Sequence, residues 1–320
     1  MYPNTKKNPG DLKMNQEQFL KNLTVPQGVV DAILDTDAAA EVDDQFAIAY
    51  FMLSPERIRP IGICAAPVIP MDRAPADIGM ERSYREILKI LHLMERDEFI
   101  PYVYRGADRF MSEETVPVCS DAAKFIVETA KQYSAEHPLY IVAIGAITNV
   151  ASAILLDRKT MEENTVVIWL GGHAHHWGRT DEFNMIHDMP AARVVFGSRI
   201  PLVQLPCEGV VNSFRTTEHE LRFFLEGKNP LGDFLTSITV AHAEKYEPCK
   251  AWSRCIWDVT AVAWLLNDGQ RFLCTRKTPT PMPQYDGTYA FPENARMMEY
   301  VYGVRRDALF SDLFDKITRL

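Results

Sequence analysis

Apolar and polar positions along this chain fall into two alternating kinds of segment. Short apolar runs recur over residues 29–34, 58–65, 139–144, 165–170 and 202–205. Runs of that length predict strands buried on both faces. Between them lie segments with apolar residues at helical spacing. Residues 43–53 place Phe46, Ala47, Ala49, Tyr50 and Leu53 on one side, and residues 80–94 do the same with Tyr84, Ile87, Leu88, Leu91 and Leu93. Helices are also predicted over 122–133, 148–156 and 191–196, with a short extended piece at Val103-Tyr104.

Alternation of strand and helix predicts an α/β fold with a mostly parallel central sheet flanked by helices, a Rossmann-like open sheet. Ligands of such sheets bind beyond the carboxyl ends of the strands. Asp35 and Asp37, Ile144-Gly145, Gly171-Gly172 and Pro206-Cys207 all fall at those ends, which predicts one shared site. The last third differs. Residues 218–246 read as helical with a break near Asn229-Pro230, 257–266 as a buried helix, 275–291 as strands or a long loop, and 307–320 as a closing helix. No repeat, low-complexity tract or linker interrupts the pattern, so a single domain over 29–320 is expected behind a polar extension over 1–28.

Composition narrows the function. The chain has 320 residues, 47% of them hydrophobic, enough for one large core. A net charge of −9 argues against a nucleic-acid surface and against an anionic membrane, though not against a small nucleotide-like substrate. Six scattered cysteines without a C-x-x-C pair suggest neither a zinc site nor a disulfide framework. Reduced thiols and a cytoplasmic location are the expectation. The polar lead-in lacks the apolar core of a signal peptide, and no apolar stretch is long enough to span a bilayer.

The densest chemistry lies just after the first apolar run. Asp35, Asp37, Glu41, Asp43 and Asp44 crowd into ten residues. Like charges at close range repel, and burial disfavours each anion, so a bound divalent cation is the simplest remedy. Hard oxygen ligands suit Ca²⁺ or Mg²⁺, and flexible carboxylate geometry suits Ca²⁺ better. A cation there also makes a nucleophile of water, so the segment points to a metal-dependent hydrolase.

Four motifs in order carry a resemblance. They are the Asp37…Asp43-Asp44 cluster, residues 142–151 (VAIGAITNVA), Leu170-Gly171-Gly172 followed by Glu182-Phe183-Asn184, and residues 257–263 (WDVTAVA). Together they resemble the inosine-uridine-type nucleoside hydrolase family, in a divergent bacterial-type branch. The resemblance implies the nucleoside hydrolase fold and Ca²⁺-dependent hydrolysis of the N-glycosidic bond of a small-molecule ribonucleoside, giving ribose and free base. It implies Ca²⁺ ligation by Asp37, Asp44, Asp258 and the Ile144 carbonyl, with Asp43 as general base. Glu182 and Asn184 would bind the sugar, and Asp35 would support the loop. Assembly as a homodimer or homotetramer is implied as well.

The chain departs from the family pattern at three places. Five residues rather than three separate Asp37 from Asp43, Ala40 stands where an Asn is usual in this branch, and Trp257 replaces a His. An indole cannot protonate a leaving base as imidazolium can, but it can stack on a purine. His173, His175, His176 and His187 crowd one region; a contact to the sugar or the leaving base is expected of His175, His176 or His187, and His176 is the candidate. Two other readings compete. One is a Ca²⁺- and nucleoside-binding homologue with little turnover. The other is a haloacid-dehalogenase-like Mg²⁺ phosphohydrolase built on Asp35-Thr36-Asp37, for which Lys124 and Lys159 are poorly placed.

Overall fold

The computed structural model describes residues 14–247 and 249–320; of the polar extension expected over 1–28, residues 1–13 lie outside them. The first half contains α1 (Gln16–Asn22), β1 (Val30–Thr36), α2 (Asp44–Met52), β2 (Ile58–Ala65), α3 (Ala76–Leu93), β3 (Val103–Arg105), α4 (Asp121–Ala130), β4 (Leu139–Ala143), α5 (Thr148–Leu156) and α6 (Arg158–Asn164). There follow β5 (Thr165–Leu170), α7 (Phe183–His187), α8 (Met189–Gly197), β6 (Leu202–Leu205), β7 (Arg215–Thr216), α9 (Glu218–Phe224) and α10 (Pro230–Tyr246). The chain closes with β8 (Arg254–Cys255), α11 (Val259–Leu265), β9 (Leu273–Pro279), β10 (Met282–Pro283), β11 (Tyr289–Ala290), β12 (Met297–Val304) and α12 (Arg306–Thr318).

Eight strands form one sheet in the order β3-β2-β1-β4-β5-β6-β12-β9. All neighbours run parallel except β12 and β9. The fold class expected from the pattern is therefore the one found. The order reverses between β1 and β4, and such a switch point opens a crevice at the strands' carboxyl ends.

The pleat sends alternate residues to two cores. On one face Ala32, Leu34 and Val142 pack with Phe46 of α2 and Val262 of α11. On the other, Ile33, Ile141 and Ala143 pack with Ile126 of α4, Val150 of α5 and Val195 of α8. Both faces being covered, β4 and β5 are buried at every position, which is why they read as unbroken apolar runs.

Several elements are absent from the expected list, β12 and α1 among them. Periodicity does not predict β12, yet it pairs with both β6 and β9 and carries the sheet past β6. Its Met298 and Tyr300 enter one core and its Val301 the other, so no polar alternation marks it. The polar lead-in contains α1, whose Asn22 Nδ2 donates to the Ala135 carbonyl at 2.9 Å. The expected break at Asn229-Pro230 is where α10 starts: the Asn229 side chain accepts the Gly232 N–H, and Pro230 occupies the first turn.

Behind the switch point, Asn149 of α5 ties three segments together. Its Nδ2 donates to Asp35 Oδ1 at 2.8 Å and to the Ala65 carbonyl at 3.2 Å, and its Oδ1 accepts the Ala107 N–H at 2.9 Å. The backbone at Gly106 approaches so closely that a Cβ there would lie 1.9 Å from the Ala65 carbonyl oxygen. Asn149→Ala strips a buried donor and a buried carboxylate of their partners at once. It is expected to cost roughly 2–4 kcal/mol, read as a lower urea midpoint with an unchanged slope.

Candidate active site

The loop after β1 decides where the carboxylates go. Asp35 still lies in the strand and points to the α5 side, where Asn149 holds it; Thr36 points to the α2 side, where its hydroxyl donates to Asp44 Oδ1 at 2.5 Å. Asp37 lies just beyond the strand. The five residues that follow form a turn in which the Ala40 N–H donates to the Asp37 carbonyl at 2.8 Å and Gln45 Nε2 donates to the Ala38 carbonyl at 2.9 Å. The turn thus returns Asp43 and Asp44 to the crevice at the start of α2. Helix α11 packs on α2 and brings Asp258 at its own first turn to the same place. Carboxylate oxygens of Asp43, Asp44 and Asp258 all lie within 4.8 Å of one another.

Asp37, Asp43, Asp44 and Asp258 are all buried. Burial first, and the neighbouring carboxylates second, push Asp44 up to about 8 and hold Asp37 and Asp258 well above the ordinary carboxylate range. Asp43 is pushed up to about 7 by burial and by Glu41. Asp37 Oδ2 is enclosed and has no hydrogen-bond partner. An orphaned carboxylate oxygen among other buried acids fits a hard divalent cation. Beyond β4, a Cβ on Gly145 would sit 2.8 Å from Asp37 Oδ1, so a side chain there would force the acid to move.

These acids share a cavity of about 190 Å³ with Ile144, Leu170, Glu182, Phe183, Asn184 and Trp257. Asn184 Nδ2 donates to the carbonyls of Ile144 (3.1 Å) and Leu170 (3.0 Å). Glu182 caps α7: its carboxylate accepts the N–H groups of Asn184 (2.9 Å), Met185 (3.0 Å) and Gly172 (2.8 Å). Burial still raises its pKa against those bonds. Trp257 is half-buried at the wall.

Of the residues singled out in the sequence, Asp37, Asp43, Asp44, Ile144, Glu182, Asn184, Trp257 and Asp258 meet in this cavity. Asp35 and His176 do not line it. Asp35 is enclosed behind it, pushed up to about 7 by burial. His176 is exposed and packs beside Trp177. The cavity's histidine is His173 instead. Glu41, Cys207 and Glu208 also line it, and Glu41 is ion-paired to Arg254. Nothing in the sequence flags Arg254, which stands 213 positions from its partner. Among the described residues no lysine lines the cavity, and Asp35 is sealed from it, which leaves a phospho-aspartate mechanism without two groups that it needs.

The family model described as inosine-uridine preferring nucleoside hydrolase matches residues 32–290. Over 150 residues the chain is 25% identical to the putative pyrimidine-specific ribonucleoside hydrolase RihB of Shigella boydii and to the pyrimidine-specific ribonucleoside hydrolase RihB of Escherichia coli K12. Those matches cover 46% of this chain and 60% and 47% of the relatives, so the chain spans about half the length of the curated relatives it matches. Among solved structures, a purine-preferring ribonucleoside hydrolase from Gardnerella vaginalis superposes with a TM-score of 0.72 at 20% identity, over 90% of this chain and 98% of that one. The plant nucleoside hydrolase PpNRh1 gives 0.71 at 17% identity, over 91% and 99%. At those identities the superpositions establish a shared fold.

Folded-state values above the ordinary carboxyl value of about 4 mean that the folded chain binds protons which the unfolded chain releases. The stability this gives is full below about pH 4 and is lost as pH rises toward 7–8, the range of Asp43 and Asp44. In chelator, the urea midpoint is expected to fall between pH 5 and pH 8. Excess Ca²⁺ should raise the melting temperature at pH 8 on the order of 5 °C, and less at pH 5, where protons compete. A midpoint that does not fall over that range, or an equal Ca²⁺ effect at both values, would contradict a cation site here.

Proposed function

The chain belongs to the inosine-uridine preferring nucleoside hydrolase family, and from that premise we propose that it hydrolyses the N-glycosidic bond of a ribonucleoside, with Ca²⁺, to ribose and a free base. The observation that carries this reading is the convergence of Asp37, Asp43, Asp44 and Asp258 with Ile144, Glu182 and Asn184 in one cavity at the sheet's switch point. Residues 29–320 act as the catalytic domain in this reading.

Asp37, Asp44, Asp258 and the Ile144 carbonyl are the ligands. A carbonyl has two lone pairs, so Ile144 can accept from Asn184 and still face the cation. Held by these groups, Ca²⁺ would supply an acidified water and positive charge for the sugar's hydroxyls. Asp43 takes a proton from the attacking water as its oxygen bonds to C1′. The C1′–N bond breaks, its electron pair leaves with the base, and the base nitrogen takes up a proton from solvent. Positive charge that develops on the sugar ring meets a wall of carboxylates. Asn184 spends its Nδ2 on two carbonyls, which leaves Oδ1 as its acceptor for the sugar. Glu182 holds that amide in place by capping α7. Trp257 offers its face to the base, and a purine gives it the larger stacking area.

Reducing-sugar release from inosine, uridine, adenosine, guanosine and cytidine tests this, with chelator and with Ca²⁺ restored. Release is expected only with the cation. Asp43→Ala should lower kcat about 10²–10⁴-fold, the usual worth of a general base. No release from any of the five by protein that binds Ca²⁺ would overturn turnover of standard ribonucleosides and leave a binding role.

A further inference from the structure

A second cavity, of about 780 Å³, lies at the amino ends of β5, β6 and β12, at the opposite end of the strands from the acidic crevice. These strands are parallel neighbours, so their amino ends stand side by side. Three arginines from three segments line the cavity: Arg158 at the start of α6, Arg199 just ahead of β6 and Arg296 just ahead of β12. The whole chain has a net charge of −9, so a wall of guanidinium groups runs against its composition.

Arg296 is held by neutral groups. Its Nε donates to the Ser198 carbonyl at 2.6 Å, and its Nη1 and Nη2 donate to Thr280 Oγ1 and the Val195 carbonyl, each at 3.3 Å. Three of its five N–H groups are spent in this way, which leaves two. Burial pushes the guanidinium down to about 10, with Glu162 acting against that shift, so its charge persists at pH 7. Glu162 is committed elsewhere: its Oε1 accepts from Arg158 Nη1 at 3.2 Å and from the Arg199 backbone N–H at 3.0 Å. Glu163 is the other acid of the wall. The Arg199 side chain is exposed. Phe19 of α1, Met14 and Met297 add half-buried apolar surface to the same cavity.

We infer that this cavity binds a phosphate monoester with a flat apolar body, the chemistry of a nucleoside monophosphate: Arg199 and Arg296 take the phosphate, and the body lies against Phe19. A guanidinium fork matches two phosphate oxygens at once, which a point charge cannot do. An aromatic ring gives a flat body a stacking face. The volume is that of a small-molecule site, too enclosed for a nucleic-acid strand. The acidic crevice repels the same ligand when it holds no cation, since Asp43, Asp44 and Asp258 stand together there. The two sites are therefore separable, and the inference does not depend on what the crevice catalyses.

Titration calorimetry of the full chain in chelator tests it, with AMP, adenosine and inorganic phosphate as probes. AMP is expected to bind with Kd below about 1 mM. Adenosine and phosphate, which each keep part of the contacts, should bind at least about tenfold more weakly. Arg199→Ala should weaken AMP about tenfold, the worth of a charge-assisted hydrogen bond, and Arg199→Lys should restore part of that loss. Phe19→Ala should weaken AMP and leave phosphate unchanged. AMP that does not bind below about 1 mM, or whose affinity is the same in Arg199→Ala, overturns the inference. So does adenosine that binds as tightly as AMP, because the arginines then take no phosphate. Phosphate that binds as tightly as AMP overturns it as well, because Phe19 and its neighbours then hold no body.

Discussion

Four buried carboxylates that line one crevice set the terms for the rest of this structure. Asp37, Asp43, Asp44 and Asp258 stand in a crevice that water does not screen. Each would be less costly elsewhere, since burial and mutual repulsion both disfavour ionisation. The fold holds them by backbone placement more than by local pairing. Asp44 and Asp258 stand at the first turns of two packed helices, where unpaired N–H groups favour anions. One hydroxyl, from Thr36, bonds the group, and one oxygen of Asp37 has no partner. A cluster left incomplete in this way is built to be finished by a cation.

The pleat divides the work of consecutive residues. In β1, Ile33 and Leu34 enter opposite cores, then Asp35 and Thr36 turn to opposite helices, and Asp37 leaves the sheet. Asp35 belongs to the scaffold: Asn149 binds it to the chain beyond β2 and to the tight passage at Gly106. Thr36 belongs to the site through Asp44. Neighbours one residue apart thus serve stability and chemistry separately, because the side-chain period of a strand is two.

The sheet and the acidic cluster were legible in the sequence for one reason. Strands covered on both faces leave unbroken apolar runs, and carboxylates directly behind such a run need an explanation. Other features left no comparable mark. β12 sends residues into both cores after a stretch rich in proline and glycine, so no alternation announces it. α7 has five residues, too few for a helical period, and its capping acid reads as part of a loop. Four histidines within fifteen residues could not be ranked by spacing. Thr180 and Tyr289 fix the backbone of His173 beside the cavity, and Tyr289 is 116 residues away. The Glu41–Arg254 pair is likewise a product of tertiary packing.

The two ends of the cavity are built differently, and that bears on what each can specify. At the end that the proposed function assigns to cation and sugar, strand ends and helix starts supply the groups, and backbone N–H and carbonyl groups hold Glu182, Asn184 and His173 in single orientations. Groups fixed in this way discriminate by what they leave unpaired when a substrate lacks the matching atom. At the other end stand Trp257, Ala40 and the Glu41–Arg254 pair. These come from the turn after β1 and from the strand and loop that lead into α11. An indole face and a methyl group reward area and exact little for a mismatch, since removing one methylene from an apolar contact costs only about 1 kcal/mol. If the proposed reading holds, such an end would tolerate different bases. In the proposed reading the acidic loop carries the reaction, and the leaving base is the part of the substrate that this architecture constrains least.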